Sequence, residues 1–310
     1  MCGLFGVARP EKATSRQVTT RALLMLGQLA EERGVDSAGL ALWPAAQPTA
    51  RPVDRLADRP DVTVDGWRVV KQVGRFGELR LRDIRPALDT ARVVLGHTRQ
   101  ATQGDVHRLV NVSPLATGGL LGTHNGDVTA APLRERYQLP EPAGETDSEL
   151  IFAALEAVTD EAAMLDVLSS MEGRAALVWV DRRNPERLWL ARAALSPLAV
   201  GVTTGGDLLW ASNPDWLRRV SATCGLALHR GGLTLVPEGT LLAFDLRDRV
   251  RFAGSAQFTP RPRLSDLGLG WAIWRGFGTA DRLVDQAGLR SPAALGAAGF
   301  PADQPERPAA

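Results

Sequence analysis

The chain has 310 residues, of which 45% are hydrophobic and 23% charged, a composition typical of globular rather than disordered or fibrous proteins. Its 36 basic and 35 acidic residues leave a formal charge of +1. The arginines are spread along the whole sequence, which argues against the clustered basic surface of a nucleic-acid binder. No run approaches the roughly 20 apolar residues that cross a bilayer, and residues 1–10 lack the basic start of a signal peptide. We therefore expect a cytoplasmic protein.

The cysteine and histidine content limits the metal and redox chemistry open to this chain. Cys2 and Cys224 are its two cysteines, too few for a disulfide framework or for a zinc site built from two Cys-x-x-Cys pairs. The histidines are scattered, without the i, i+4 spacing of a helical metal site: His97, His107, His124 and His229. We expect no metal centre.

Hydrophobic periodicity predicts a buried strand over residues 3–8 and a helix over 19–33, ended by Gly34. Residues 44–65, rich in Pro, Ala and Asp, are expected to form an exposed loop. The other predicted elements are strands at 38–43, 69–73, 91–96 and 120–123, helices at 149–158 and 161–171, and strands at 175–181, 187–193, 198–203, 207–211 and 240–245.

The predicted strands and helices are segregated along the chain, which indicates an α+β fold rather than a βαβ repeat. The character of the sequence changes near residue 253, where Pro-, Gly- and Trp-containing stretches replace the strand pattern. We therefore expect a domain over 2–252 and a C-terminal tail over 253–310 that is partly disordered or serves for docking.

Cys2 is the most informative residue because of its position. If Met1 is removed, one residue carries both a thiol and a free α-amine. An unperturbed α-amine has a pKa of about 7.7–8.0, so a sizeable fraction is neutral and can accept the thiol proton. Nucleophile and general base would then share one residue. A buried, inert cysteine is the alternative, and Cys2 alone does not decide between them.

Other segments of the sequence favour the catalytic interpretation of Cys2. Five blocks, in this order, resemble the glutaminase domain of class II (N-terminal-nucleophile) glutamine amidotransferases, and most of all the glutaminase half of glucosamine-6-phosphate synthases. The resemblance covers about residues 2–250 and implies a four-layer α/β/β/α sandwich with two mostly antiparallel sheets. It also implies hydrolysis of the L-glutamine amide through a γ-glutamyl thioester, with no cofactor. The blocks are residues 2–6 (CGLFG), 33–39 (RGVDSAG), 96–104 (GHTRQATQG), 123–127 (THNGD) and 144–149 (GETDSE).

Several of these residues suit the amino-acid end of glutamine. Arg99 offers a planar fork that matches a carboxylate. Asp147 precedes a predicted helix, where it is either a helix cap or an acceptor for the substrate ammonium. The resemblance implies that Arg99 and Asp147 hold the α-carboxylate and α-ammonium, that Thr102 and Thr146 add polar contacts, and that Arg33 with Gly34 shapes the pocket.

Asn125-Gly126 allows two interpretations. Asn-Gly is typical of a tight turn, whereas the resemblance implies an oxyanion hole formed by the Asn125 side-chain amide and the Gly126 backbone N–H. His97 and His124 flank these residues and are expected to be packed core histidines, because the α-amine already supplies a base.

Two features depart from the family pattern. Gln100 and Gln103 stand where the family usually has an aromatic residue and a histidine, which puts gating of the site in doubt. About 60 residues follow the glutaminase region, too few for sugar-binding domains, so we expect the ammonia to serve an acceptor synthase on a separate subunit. Hydrolysis of another γ-glutamyl amide and a non-catalytic regulatory role remain alternatives, and the oligomeric state is open.

Overall fold

A computed structural model describes residues 1–13, 16–44 and 59–288 of the chain. Within them, the strands are β1 (Gly3–Ala8), β2 (Ser37–Trp43), β3 (Asp61–Val64), β4 (Trp67–Val73), β5 (Val93–Arg99), β6 (Leu115–Ala116), β7 (Leu120–Thr129), β8 (Glu172–Asp181), β9 (Arg187–Arg192), β10 (Ala199–Thr203), β11 (Leu208–Ala211), β12 (Leu228–Leu235), β13 (Thr240–Asp245) and β14 (Arg251–Gln257). The helices are α1 (Arg16–Ala30), α2 (Leu81–Thr90), α3 (Ala131–Tyr137), α4 (Asp147–Glu156), α5 (Glu161–Ser170), α6 (Pro214–Cys224), α7 (Gly270–Ile273) and α8 (Thr279–Gly288).

The strands form two sheets whose neighbouring strands all pair antiparallel. The eight-stranded sheet has the order β12-β10-β11-β1-β5-β2-β4-β3, and the six-stranded sheet has the order β14-β13-β9-β8-β7-β6. The first strand of the chain therefore lies in the middle of the larger sheet, with β5 beside it.

Three hydrophobic clusters show how the layers stack. One holds the helices α1, α2 and α6 against the outer face of the eight-stranded sheet. The second fills the space between the two sheets, where Leu4 and Leu95 meet Leu121 and Val178. The third packs α3, α4 and α5 on the outer face of the six-stranded sheet. The predicted four-layer α/β/β/α arrangement with antiparallel sheets is confirmed.

The strands at 3–8 and 240–245 coincide with their predictions, and α1 lies three residues earlier than predicted. The prediction of a loop over 44–65 is wrong at residues 61–64, which form the strand β3. Residues 45–58 lie outside the described part of the chain. The helix α6 was not predicted, although its start and end carry clear signals: Asn213 caps the first turn, and Gly225 follows the last turn with φ +71°, a conformation that favours glycine.

The C-terminal segment, which we define as residues 258–288, packs against the body of the protein. The expected boundary between residues 252 and 253 falls inside β14, which pairs with β13. Within the segment, Asp285 forms a buried ion pair with Arg192 of β9. The part of the predicted tail over 289–310 lies outside the described residues. In the described ranges, no helix combines the length and apolar character needed to cross a membrane.

Candidate active site

Cys2 lies where the two sheets meet, immediately before β1. Its backbone N–H donates to Oδ1 of Asn125 on β7 (3.1 Å), and its carbonyl accepts from Nε of Arg33 (3.0 Å). Its thiol, which is 3.5 Å from the Gln100 carbonyl oxygen, is buried. Both backbone groups of the predicted nucleophile are thus held by buried side chains.

Asn125 and Gly126 lie in the middle of β7 and not in a tight turn. The Gly126 partner across the sheet, Ala175, bonds through its N–H and its carbonyl to Ala194 and Ala193. Because the backbone groups of an antiparallel strand alternate in direction, the Gly126 N–H is turned away from β8. It points toward the edge of the sheet, and Gly126 lines a cavity there.

Glycine is required at 126 by the neighbouring strand. A Cβ added there would lie 2.0 Å from the carbonyl oxygen of Arg174 and 2.3 Å from Nε2 of His124. The close approach that requires glycine is therefore made by the backbone of β8.

A narrow cavity brings most of the predicted site residues together. Its free volume of about 20 Å³ is enough for about one water molecule. A wider cleft of about 480 Å³ lies on the other side of Gln103, Thr146 and Asp147. The narrow cavity is lined by Cys2, His97, Arg99, Gln100, Thr102, Gln103, Asn111, Ser113, His124, Gly126, Thr146, Asp147 and Ser148.

Two of the predicted substrate-binding side chains, Arg99 and Asp147, already have protein partners. The Arg99 guanidinium donates to the carbonyl oxygens of Gln103 and Gly104, which close the loop after β5 over it. Asp147 is the first residue of α4, and its Oδ2 accepts from the backbone N–H of Val128 (2.7 Å). Thr146 caps the helix through its backbone, while its buried hydroxyl has no hydrogen-bond partner among the described residues.

Arg33 and Gly34 lie behind the nucleophile and are not among the residues that line the cavity. The Arg33 guanidinium bridges the Cys2 carbonyl and the carbonyl of Ile273 in the C-terminal segment (3.1 Å). A Cβ on Gly34 would lie 2.4 Å from the backbone of Arg99 and Gln100. In this structure, both residues position the backbone around the site.

Burial and charge shift the titration of the groups nearest the thiol. Burial raises the pKa of Cys2, but the charge and hydrogen bonding of His97, with a smaller effect of the chain's amino terminus, lower that pKa to about 7. Burial lowers the pKa of the Met1 amine and that of His124. The Met1 side chain lies under the C-terminal segment, beside Ile273 and Leu195.

A network of hydrogen-bonded polar side chains, which the sequence did not predict, connects the site to the C-terminal segment. Gln103 donates to Oδ1 of Asp127 (2.7 Å), and Arg263 binds the Asp127 carbonyl oxygen (3.0 Å) and the carboxylate of Asp266 (2.9 Å). Gln103, Asp127 and Arg263 are far apart in sequence, whereas Arg263 and Asp266 are three positions apart. The one sequence feature that could have pointed to this network is the glutamine at position 103, where the family usually has a histidine.

Comparison with known proteins agrees with this architecture. No protein-family model matches the chain. Curated relatives include the glutamine–fructose-6-phosphate aminotransferases (isomerizing) of Aliivibrio fischeri, 29% identical over 262 residues, and of Pyrobaculum aerophilum, 31% identical over 240 residues. These alignments cover 80% and 72% of this chain but 37% and 35% of the relatives, so the chain spans about a third of their length.

Solved structures show the same fold. The glutamine phosphoribosylpyrophosphate amidotransferase of B. subtilis, in complex with ADP and GMP, superposes with a TM-score of 0.56 at 20% identity, covering 83% of this chain and 49% of that one. A structure described as the allosteric regulatory enzyme of purine biosynthesis gives a TM-score of 0.57 at 19% identity, over 84% of this chain and 50% of that one. With its sequence relatives and this fold, the chain belongs to the class II glutamine amidotransferases, whose nucleophile is N-terminal.

Proposed function

We propose that this protein hydrolyses the side-chain amide of L-glutamine, with Cys2 as the nucleophile once Met1 has been removed. The observation that carries the proposal is the placement of the Cys2 thiol in one cavity with Arg99, Gly126 and Asp147, and of its backbone nitrogen 3.1 Å from Oδ1 of Asn125. Removal of Met1 would turn that nitrogen into an α-amine beside the thiol and would leave it within reach of the same Asn125 oxygen.

The reaction begins when the Cys2 thiolate attacks the amide carbon of glutamine. Asn125 donates one side-chain N–H toward the Ser212 hydroxyl (3.4 Å), which leaves its second N–H for the oxyanion, together with the backbone N–H of Gly126. The protonated α-amine of Cys2 gives a proton to the departing ammonia. Water then hydrolyses the γ-glutamyl thioester to glutamate.

Binding of glutamine requires the cavity to open, because its free volume of about 20 Å³ is too small for the substrate. The loop after β5 is the part that has to move, since its carbonyl oxygens at 103 and 104 occupy the Arg99 guanidinium. A substrate carboxylate is a stronger partner for Arg99 than neutral carbonyls. We assign the substrate ammonium to Asp147, and the polar contacts to Thr102 and to the unpartnered hydroxyl of Thr146.

The ammonia acceptor belongs to the same proposal. We propose an acceptor synthase carried by a separate subunit, and a cytoplasmic location for both. The alternatives, hydrolysis of another γ-glutamyl amide and a non-catalytic regulatory role, receive less support, because the relatives are named as enzymes that use glutamine.

An electrophilic glutamine analogue tests the nucleophile directly. We expect the intact mass of the purified protein to lack one methionine, and a chloroketone analogue of glutamine to add one adduct that maps to the first peptide. The adduct should be absent from Cys2→Ala and present in Cys224→Ala, the matched control at the other cysteine. Quantitative retention of Met1, or labelling that persists in Cys2→Ala, would contradict the proposal.

Asp147→Asn is expected to raise KM for glutamine by about 10- to 100-fold with little change in kcat. The variant keeps the shape and an acceptor for the Val128 N–H, but it loses the charge that binds the ammonium, and hydrogen bonds to charged groups contribute roughly 1.5–3 kcal/mol. Steady-state kinetics measure the effect, and Glu156→Gln, at the other end of α4, is the control. A lower kcat at unchanged KM would show that Asp147 acts on the chemical step instead.

A further inference from the structure

A thin wall separates the narrow cavity around Cys2 from the wider cleft of about 480 Å³. Three residues form it, because they line both spaces: Gln103, Thr146 and Asp147. Thr146 and Asp147 belong to the start of α4, and Asp147 is fixed by the backbone N–H of Val128 (2.7 Å). Gln103 lies instead in the loop after β5, outside any helix or strand. Gln103 is therefore the part of the wall that can move without unwinding a helix.

Gln103 closes the site in two ways. Its backbone carbonyl oxygen accepts from the Arg99 guanidinium, which is thereby occupied. Its side-chain Nε2 donates to Oδ1 of Asp127 on β7 (2.7 Å) and lies 3.5 Å from the carbonyl oxygen of Val128. A displacement of the loop that breaks these contacts would free Arg99 and open the wall in one movement.

The C-terminal segment holds the acceptor of the Gln103 hydrogen bond in place. Arg263 donates to the backbone carbonyl oxygen of Asp127 (3.0 Å) and to its carboxylate, and Asp266 accepts from Nε of Arg263 (2.9 Å). Burial raises the pKa of Asp127, but the hydrogen bonds from Arg263 and Gln103 outweigh it and lower that pKa. Asp127 is therefore a charged acceptor, which makes the hydrogen bond from Gln103 stronger than one between neutral groups.

We propose that Gln103 is the gate through which glutamine passes from the wider cleft to the narrow cavity, and that its hydrogen bond to Asp127 is the latch that keeps the gate closed. The volume of the cleft lies within the range of about 300–1,000 Å³ that is typical of ligand pockets, whereas the narrow cavity holds about one water molecule. The proposal rests on the proposed function for its substrate. Gln103 is a positioning residue here, because it controls access to Arg99 and to the thiol and takes no part in bond breaking.

The strength of the latch sets the fraction of molecules in which the gate is open. The apparent affinity for a ligand is reduced by the fraction of the protein that is able to bind it. A weaker latch should therefore increase access to the thiol and lower KM for glutamine together. General loosening of the fold would also expose the thiol, but it would not lower KM, so the two measurements distinguish a gate from structural damage.

The test is the rate of Cys2 alkylation by iodoacetamide, followed by intact mass in a Cys224→Ala background without glutamine. The reaction is run at about pH 9, above the pKa of about 7 of the Cys2 thiol, so that the rate reports access and not ionisation. Gln103→Met keeps the length of the side chain but cannot donate to Asp127. We expect this variant to be alkylated at least about tenfold faster than the parent, and to have a KM for glutamine that is lower by a similar factor.

Asp127→Ala removes the acceptor of the same hydrogen bond and should give a similar increase, while limited proteolysis checks that the C-terminal segment stays docked. It carries the test if Gln103→Met does not fold. The double variant should be no faster than the faster single variant, because both changes break one hydrogen bond. Arg134→Gln is the matched control, since Arg134 lines the same cleft but pairs with Glu141, and its alkylation rate should equal that of the parent.

Alkylation rates in folded Gln103→Met and Asp127→Ala that equal the parent rate, or increases that multiply in the double variant, would overturn the proposal. Faster alkylation with an unchanged or higher KM would overturn it as well. The alkylation assay contains no glutamine, so the two proposals can fail separately. A protein that opens as expected but does not hydrolyse glutamine would contradict the proposed function and leave the latch in place, whereas hydrolysis with unchanged alkylation rates would contradict only the gate.

Discussion

Asn125→Ala is expected to lower kcat for glutamine hydrolysis by about 10²- to 10³-fold with KM nearly unchanged. The Asn125 amide is fully buried, and its oxygen accepts from the Cys2 nitrogen; in the proposed mechanism it also offers an N–H to the oxyanion. A preorganised donor of this kind stabilises the transition state by about 3–4 kcal/mol, since its partner acquires charge only during the reaction. Steady-state kinetics on the chain without Met1 provide the measurement.

Asn125→Asp is the companion variant for this prediction. It keeps the shape of the side chain and an acceptor for the Cys2 nitrogen, but it replaces the donor with a negative oxygen, so we expect a loss of kcat at least as large. Thermal melting of both variants shows whether the fold is intact. A kcat within about threefold of the parent in folded Asn125→Ala would exclude the oxyanion role, and a large rise in KM alone would assign Asn125 to substrate binding.

Asp285→Ala is expected to release the C-terminal segment from the body of the protein. Asp285 on α8 forms two hydrogen bonds with the guanidinium of Arg192 and accepts a third from the Trp274 indole (2.9 Å). The Arg192 and Asp285 side chains are each 2% exposed. Breaking a buried pair by removing one partner costs about 3–5 kcal/mol, because the other charge stays in a dry environment. Glu238, 3.7 Å from Arg192, offsets part of that cost here. Undocking of α8 lets water reach Arg192 and relieves that cost.

Limited proteolysis with mass analysis measures this release, since an undocked segment is cut within residues 258–288 while the body stays intact. The control is Leu283→Ala on the same helix, because Leu283 is 61% exposed and the removal of its side chain leaves the ion pair in place. Cleavage rates that are equal in the parent and Asp285→Ala would show that the ion pair does not hold the segment.

The sequence predicted which residues form the candidate site more fully than it predicted the contacts between them. Arg99, Asp147 and Gly126 do line one cavity with Cys2. Local sequence could not show that Asn125-Gly126 is part of a strand, because the same dipeptide occurs both in tight turns and within strands. Only the pairing with β8 distinguishes the two cases. For the same reason, local sequence could not show that Arg33 binds the Cys2 carbonyl, a contact between residues 31 positions apart.

His97 is a residue whose burial the sequence argument expected but whose partners it did not predict. As a histidine in an apolar strand it was expected to be a packed core residue, and it is buried. The register between β1 and β5 sets it opposite Leu4, and its Nε2 donates to the His124 carbonyl. Neither relation can be read from residue spacing, because each joins separate strands.

By itself, the sequence determined the α+β class, the bounds of the most regular strands and the family, and it predicted Cys2 as the nucleophile. These depend on short-range hydrophobic periodicity and on motifs that lie within a few residues of each other. The tertiary structure decided which atoms meet: the two sheets that face each other across Cys2, the Gly126 N–H turned toward the cavity, and the C-terminal segment packed over Met1. Those contacts join residues that are far apart in the sequence, and long-range packing, not local propensity, selects them.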